Sequence, residues 1–322
     1  SMFYIFWVLK FILFNKKKYK KIKSDKIILV ELFNYKASII SNGILANELA
    51  KFYNAKIVGY EPYFANIKKR LKSFIDRLNL SSNYHLYSSY GLQSIIIPKT
   101  KPENKRVEKE YKHVIKKIKS KKDLLKLKIK SIKVGDLIYD TYLREKKVST
   151  IDIKSEEFHI FLKKSIELFL YWFDYFENNK VKGVILSHSV YIIAFPLRIA
   201  CSKNISVFNA GFSSVYSLTK NKPLKFAYFN EYPKNFKKFD NKTKKNLIHI
   251  AKKNINLRLS GKKDLLYKES QPLKEKIFSG FKIKNKVKNS KNILVAAHDF
   301  TDAPHVHGNF IFNDFHDWML YL

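Results

Sequence analysis

The chain has 322 residues, of which 46% are hydrophobic and 15% aromatic, so it has enough apolar material for one large α/β domain and part of a second. This composition excludes wholesale disorder. The formal net charge of +36 arises from 63 basic and 27 acidic residues, a balance typical of proteins that bind nucleic acid or anionic membranes.

The basic residues are almost all lysine, since the chain has only six arginines. Proteins that read nucleic acid favour the bidentate guanidinium group, and no zinc-finger, basic-zipper or RNP pattern is present. We therefore expect no specific nucleic-acid partner. Cys201 is the only cysteine, which excludes an intrachain disulfide and a cysteine-rich zinc site and fits a reducing cytoplasm.

Residues 1–24 combine an apolar run, "FYIFWVLKFILF", with the basic run "NKKKYKKIK". The apolar run is shorter than the roughly 20 residues that a bilayer span needs, and no signal-peptide features accompany it. The pattern predicts a helix at an anionic membrane surface, on the inner face of the cytoplasmic membrane. The alternative is a helix buried against the protein's own core.

The next elements alternate between strand and helix. Strands are predicted at 26–32, 56–60 and 92–98, and helices at 37–54 and 64–80. Such β-α-β units imply a parallel sheet with ligands at the carboxyl ends of its strands. The lysine-rich residues 103–130 are expected to form one long, mostly solvated helix.

The alternation resumes after residue 155. Residues 156–179 predict an amphipathic helix, 181–189 a strand and turn, 195–204 a helix with Pro196 in its first turn, 205–211 a strand, and 233–257 helix. Residues 25–257 are thus expected to form an α/β domain with a Rossmann-like, doubly wound parallel sheet. After a connection at 258–290, a strand at 291–300 and a helix at 313–322, capped by Asn313 or Asp314, predict the start of a second Rossmann-like domain.

Three stretches carry candidate chemistry, although none of the common nucleotide-binding, zinc-protease or serine-hydrolase motifs is present. In "GDLIYDTYLR", Asp136, Asp140 and Arg144 are spaced by four and would share one face of a helix. A carboxylate there would accept the proton of a substrate hydroxyl, and Arg144 would orient it or bind phosphate. The alternative is a capped helix with a surface ion pair.

Polar residues also follow the predicted strands in the second half. Ser187 and His188 in "ILSHSVY" come at a strand's carboxyl end, where His188 would act as a base or a structural histidine. Asn209 and Gly211 in "FNAGF" end the next strand, and glycine would allow the backbone to approach a ligand closely.

The stretch "AAHDFTDAPHVHGN" contains three of the nine histidines. A metal site, a structural loop and a polar loop facing an interdomain ligand cleft are all compatible with it. The spacing matches no common metal site, so we expect no metal and favour the cleft. The candidate ligand-binding residues are His298, Asp299, Asp302 and His305.

Together, "ILVEL", "GDLIYDTYLR", "ILSHSVYI", "RLSG" and "VAAHDFTDAPHVHGNFIF" resemble bacterial capsule and surface polysaccharide biosynthesis proteins, viewed as glycosyltransferases of the two-Rossmann-domain (GT-B) type. The resemblance implies transfer of a sugar from a nucleotide-sugar to a glycan or lipid-linked acceptor at the cytoplasmic membrane face. Relatives carry a full second domain that usually holds the donor, so residues 291–322 are expected to be the start of an incomplete donor-side domain.

Under this interpretation Asp136, Asp140 and His188 are the candidate bases, and no cofactor is needed besides the donor substrate. The candidate substrate-binding residues are Arg144, Ser187, Asn209, Gly211, His298, Asp299, Asp302 and His305. The alternative function is a non-catalytic scaffold at the membrane surface or a polysaccharide-binding subunit.

Overall fold

The computed structural model describes residues 2–33, 36–64, 75, 78, 82–99, 104–210, 214–259, 299–308 and 310–322. Contacts divide the chain into two compact units. The first comprises Ser1–Tyr228 with His298–Leu322, and the second comprises Phe229–Ala297. The last residues of the chain therefore pack with the large N-terminal unit.

The centre of the first unit is a six-stranded sheet in the order β3-β2-β1-β6-β7-β8, in which all neighbouring strands are parallel except β7 and β8. A separate antiparallel pair joins β4 and β5. The strands are β1 (Lys26–Glu31), β2 (Lys56–Tyr60), β3 (Leu92–Ile96), β4 (Lys128–Ile129), β5 (Ile132–Lys133), β6 (Lys180–Leu186), β7 (Ser206–Ala210) and β8 (Val215–Leu218). This is an α/β architecture compatible with a Rossmann-like fold.

Helices flank the sheet on both faces. The described helices are α1 (Met2–Lys18), α2 (Lys36–Tyr53), α3 (Asn83–Ser89), α4 (Lys105–Ile115), α5 (Lys121–Leu125), α6 (Gly135–Lys146), α7 (Glu156–Asn178), α8 (Phe195–Ser202), α9 (Tyr232–Lys237), α10 (Asn241–Leu259) and α11 (Phe315–Tyr321). Local signals set several boundaries. Ser155 accepts the backbone N–H of Phe158 at the start of α7, and Pro196 lies in the first turn of α8.

Side chains alternate between two cores across the sheet. Ile28, Val30 and Ile185 point to the layer formed by α1, α2 and α3. Leu29, Val184 and their neighbours point to the larger core with α6, α7 and α8, where Trp172 is fully buried. Strands buried on both faces are apolar at consecutive positions, which explains runs such as "KIILV".

The predicted strands at 26–32, 56–60, 92–98, 181–189 and 205–211 are confirmed within a few residues, as are the helices at 37–54, 156–179 and 195–204. Residues 233–257 are helical, with a break where Asp240 accepts the backbone N–H of Thr243. Most of the helix predicted at 64–80, most of the connection predicted at 258–290 and most of the strand predicted at 291–300 lie outside the described residues.

The prediction of one long solvated helix at 103–130 is wrong. Helix α4 ends at Ile115, Ser120 caps the short α5, and a hairpin follows in which Lys130 and Ser131 adopt positive φ. The apolar side chains of this region, including the fully buried Leu124 and Ile129, pack into the core. Burial of these side chains outweighed the helical preference of the lysines between them.

The helix predicted at 313–322 is confirmed, and of its two candidate caps, Asn313 and Asp314, the structure has Asp314. Asp314 precedes α11, and its carboxylate accepts the backbone N–H of Asp317. Whether residues 291–322 belong to a further domain stays a prediction. Within the part of the chain that the structure describes, no helix is both long and apolar enough to cross a membrane.

Candidate functional site

The candidate site lies at the carboxyl ends of the central parallel strands. The strand order reverses direction between β1 and β6, since β2 and β3 lie on one side of this pair and β7 on the other. Open parallel sheets bind ligands in the crevice at such a point. Here β1 ends at Glu31, and Ser187 and His188 follow directly after β6.

Glu31 holds the turn after β6 in place. Its buried carboxylate accepts the backbone N–H of Ser187 at 2.6 Å and also interacts with the N–H of His188. Burial raises the pKa of Glu31 to about 7, although these hydrogen bonds act in the opposite direction. Glu31 was not identified from the sequence. The pattern that could have indicated it is an acidic residue at the end of an apolar strand.

The turn places His188 in a positively charged environment. Its ring packs edge-on against Phe33 with the ring centroids 5.0 Å apart, and its Nδ1 atom is buried without a hydrogen-bond partner among the described residues. Burial, followed by the charges of Arg144 and Lys225, lowers the pKa of His188 and favours the neutral imidazole. The hydroxyl of Ser187 lies 3.5 Å from Nδ2 of Asn42.

A carboxylate and an imidazole that are far apart in sequence meet beside this turn. Nδ1 of His305 lies 2.5 Å from Oδ1 of the buried Asp140 on α6. Burial raises the pKa of Asp140 to about 6, although the interaction with His305 acts to lower it. Nε2 of His305 is buried and has no hydrogen-bond partner within the described ranges. The pair thus leaves one imidazole nitrogen available to a ligand.

A second contact fixes the loop that carries His305. The hydroxyl of Tyr191 donates to Asp302, and the guanidinium carbon of Arg144 lies 4.6 Å from the centroid of the Tyr191 ring. Tyr191 adopts φ 62° and ψ 170°, a strained conformation for a residue with a side chain. Backbone strain of this kind clusters at functional sites. Tyr191 was not selected from the sequence, because no sequence pattern indicates such a conformation.

The structure thus brings together four of the predicted residues, namely Asp140, Arg144, Asp302 and His305. Asp136 is placed differently, because its carboxylate forms a buried ion pair with Arg198 at 2.6 Å. This geometry favours a structural role for Asp136. Asp136 and Asp140 lie on the same helix, but Asp136 contacts Arg198 whereas Asp140 contacts His305.

The remaining predicted residues are dispersed. Asp299 is exposed and accepts the backbone N–H and the hydroxyl of Thr301 in a local turn. Asn209 is fully buried on β7, and neither atom of its amide has a hydrogen-bond partner in the described structure. His298 and Gly211 lie outside the described residues.

One group of potential metal ligands lies near the C-terminus, where atoms of Asp314, His316 and Asp317 lie within 4.8 Å of one another. The carboxylate of Asp314 already accepts hydrogen bonds from Tyr139 at 2.5 Å and Thr150 at 2.6 Å. The ammonium group of Lys121 lies beside both aspartates. These donors fit a structural cluster better than a cation site.

Comparisons of the chain with protein-family models, with curated proteins and with solved structures find no match. The functional argument therefore depends on the sequence and on the geometry of the site.

Proposed function

We propose that this chain is the acceptor-side part of a cytoplasmic glycosyltransferase of capsular or surface polysaccharide biosynthesis. It would transfer a sugar from a nucleotide-sugar to a glycan or lipid-linked acceptor, with residues 291–322 as the start of the donor-side domain. The observation that carries the proposal is the Asp140–His305 pair, on the helix whose Thr141 accepts the backbone N–H of Ile192 in the segment after β6. Its chemistry suits removal of a proton from an acceptor hydroxyl.

Glycosyl transfer requires the acceptor hydroxyl to lose its proton as its oxygen forms the bond to the sugar. Above the pKa of about 6, ionised Asp140 accepts the Nδ1–H of His305 and leaves the lone pair of Nε2 available to that proton. The sequence alone suggested Asp136, Asp140 or His188 as the base. The geometry instead favours His305 as the base and Asp140 as the group that orients it, a contribution of about 10²- to 10⁴-fold in rate.

The positive charges near His188 fit the other requirement of the reaction. The departing nucleoside diphosphate is an anion, and cationic side chains at the site would stabilise the charge that develops on it. Arg144 and Lys225 are close enough to His188 for their charges to lower its pKa. The neutral His188 is suited to donating or accepting a hydrogen bond with a sugar hydroxyl.

The test is a transfer assay of the protein expressed from its complete open reading frame, against a panel of nucleotide-sugars. His305→Ala is expected to lower turnover about 100-fold, as is typical of the loss of a general base. The activity of the wild type should fall below about pH 6, where Asp140 becomes protonated. Asp140→Asn should lose most of the activity, and what remains should no longer show this fall. Normal turnover in His305→Ala would overturn the assignment.

Asp136→Asn serves as the structural comparator, because it breaks the buried pair with Arg198 without touching His305. Its expected signature is a lower melting temperature with turnover retained in the protein that stays folded, whereas His305→Ala should lose turnover even where it is folded. Should polysaccharide bind without any turnover and nucleotide-sugars fail to bind in calorimetry, the chain would instead be the non-catalytic binding subunit.

A further inference from the structure

Helix α1 is apolar on both sides, but the part of the protein that the structure describes covers only one of them. Its inner side buries Val8 and Ile12 in the core shared with α2 and α3. On the same side, Nδ2 of Asn15 donates to the hydroxyl of Ser89 at 3.1 Å. The ring of Phe11 packs edge-on against Tyr90. These contacts hold the helix along the surface of the unit.

The outer side of α1 exposes five large apolar side chains, between 44% and 64% accessible. We call this set the α1 outer face: Ile5, Phe6, Trp7, Leu13 and Phe14. Helix α2 belongs to the same layer and also exposes Ile40, Ile44 and Phe52. Clustered exposed apolar groups of this kind mark an interaction surface rather than ordinary scatter.

The charged residues that accompany the α1 outer face in the sequence are all basic. Between Lys10 and Lys23 the sequence has seven lysines and no acidic residue. The ammonium group of Lys10 lies 5.4 Å from the ring centroids of both Phe6 and Trp7. The other six lysines, at positions 16, 17, 18, 20, 21 and 23, are exposed.

We propose that the α1 outer face docks on an anionic lipid bilayer, with α1 lying in the plane of the headgroups. Trp and Phe are suited to the boundary between headgroups and acyl chains, and lysines beside them attract anionic lipid. A second copy of the chain fits less well, because a two-fold interface would bring two lysine-rich segments together. This inference does not depend on the proposed transferase activity.

The apolar contribution is tested by Phe6→Ser combined with Phe14→Ser in the full chain. The matched control is Ile160→Ser combined with Val215→Ser, two side chains of similar exposure, 51% and 54%, that lie elsewhere. Sedimentation with vesicles of phosphatidylcholine and about 30% phosphatidylglycerol measures binding. We expect the outer-face variant to bind at least about tenfold more weakly and the control to bind as the wild type does.

The electrostatic contribution is tested by replacing Lys16, Lys17 and Lys18 with Gln. Its control replaces Lys116, Lys117 and Lys119, which are equally exposed, and so changes the net charge by the same amount. Only the first variant should lose binding to anionic vesicles, and added salt should weaken the wild type. Equal losses in the two variants would mean that total charge, rather than this surface, is responsible.

The position of the helix is tested by fluorescence. Trp7 is exposed, whereas Trp172 is fully buried in the core. Brominated lipids should therefore quench a component of the emission that Trp7→Phe removes. The inference is overturned if the wild type does not bind anionic vesicles, or if sedimentation without lipid shows a dimer that the Phe6→Ser, Phe14→Ser variant abolishes.

Discussion

At the scale of single residues, Glu31 links the site to the stability of the fold. Its pKa is raised by burial from 4.5 to about 7, so between these values the folded state binds a proton that the unfolded state has lost. The stabilisation is complete below about pH 4.5 and is lost as pH rises through about 7. Each pKa unit is worth about 1.4 kcal/mol, so the loss is on the order of 3 kcal/mol.

We therefore predict that Glu31→Gln reduces the pH dependence of stability. A neutral amide oxygen still accepts the backbone N–H of Ser187, and the side chain no longer has to remain protonated or bury a charge. Melting curves between pH 5 and 8 should show the wild type losing stability more steeply than the variant. Asp140 shifts in the same direction and is unchanged in both proteins, so parallel curves would contradict the assignment to Glu31.

Sequence patterns located some residues of the candidate site but did not reveal which of its residues pair with each other. Ser187 and His188 were placed correctly because an apolar run followed by polar residues indicates the end of a buried strand. In contrast, Asp140 and His305 are 165 positions apart, so no local pattern predicts their contact. The partners of Glu31 and of Tyr191 likewise depend on tertiary packing.

At the scale of elements, the buried side chain of Asp314 holds the end of the C-terminal segment in place, while Asp302 and His305 fix its loop to Tyr191 and Asp140. The carboxylate of Asp314 accepts hydrogen bonds from Tyr139 and Thr150 and caps α11. This explains how a short helix with no buried residue of its own can be positioned next to α5 and α6. The segment in turn carries Asp302 and His305 to the site.

We predict that Asp314→Ala releases this segment. The change removes the cap and leaves the buried hydroxyl of Tyr139 and the partly buried hydroxyl of Thr150 without this acceptor, at a cost of about 2–5 kcal/mol. Asp317→Ala, which loses a partly exposed pair with Lys121, should cost about 1 kcal/mol and serves as the control. Hydrogen exchange should speed up at residues 299–322 in Asp314→Ala alone, and unchanged exchange there would refute the proposed anchor.

Elements were predictable where one period dominated the sequence. Helix α7 shows an apolar stripe with a serine cap, and β1 is a continuous apolar run. The prediction for residues 103–130 failed because their lysines resemble a solvated helix, whereas Leu124 is buried from the short helix α5 and Ile129 from the two-residue strand β4. Strand β8 was missed because its four residues have no strong pattern and pair only at the edge of the sheet.

At the scale of the whole molecule, the charge of +36 raises the question of nucleic acid. The described arginines are partly engaged by carboxylates. Nη1 of Arg106 donates to both carboxylate oxygens of Asp174 at 2.7 Å, and Arg198 is buried against Asp136. Lysine, which approaches phosphate as a point charge, thus remains the main group that would contact nucleic acid.

We predict that any binding to DNA or RNA is weak and indifferent to sequence. Lysine contacts with phosphate give dissociation constants of about 10⁻⁴–10⁻⁶ M at physiological salt, and their strength falls steeply as salt rises because counterions are released. Anisotropy titrations with two unrelated labelled duplexes, each at low and at physiological salt, measure both properties. The two duplexes should bind equally and lose affinity in parallel. A dissociation constant near or below about 10⁻⁸ M for only one of them at physiological salt would indicate base recognition and contradict this prediction.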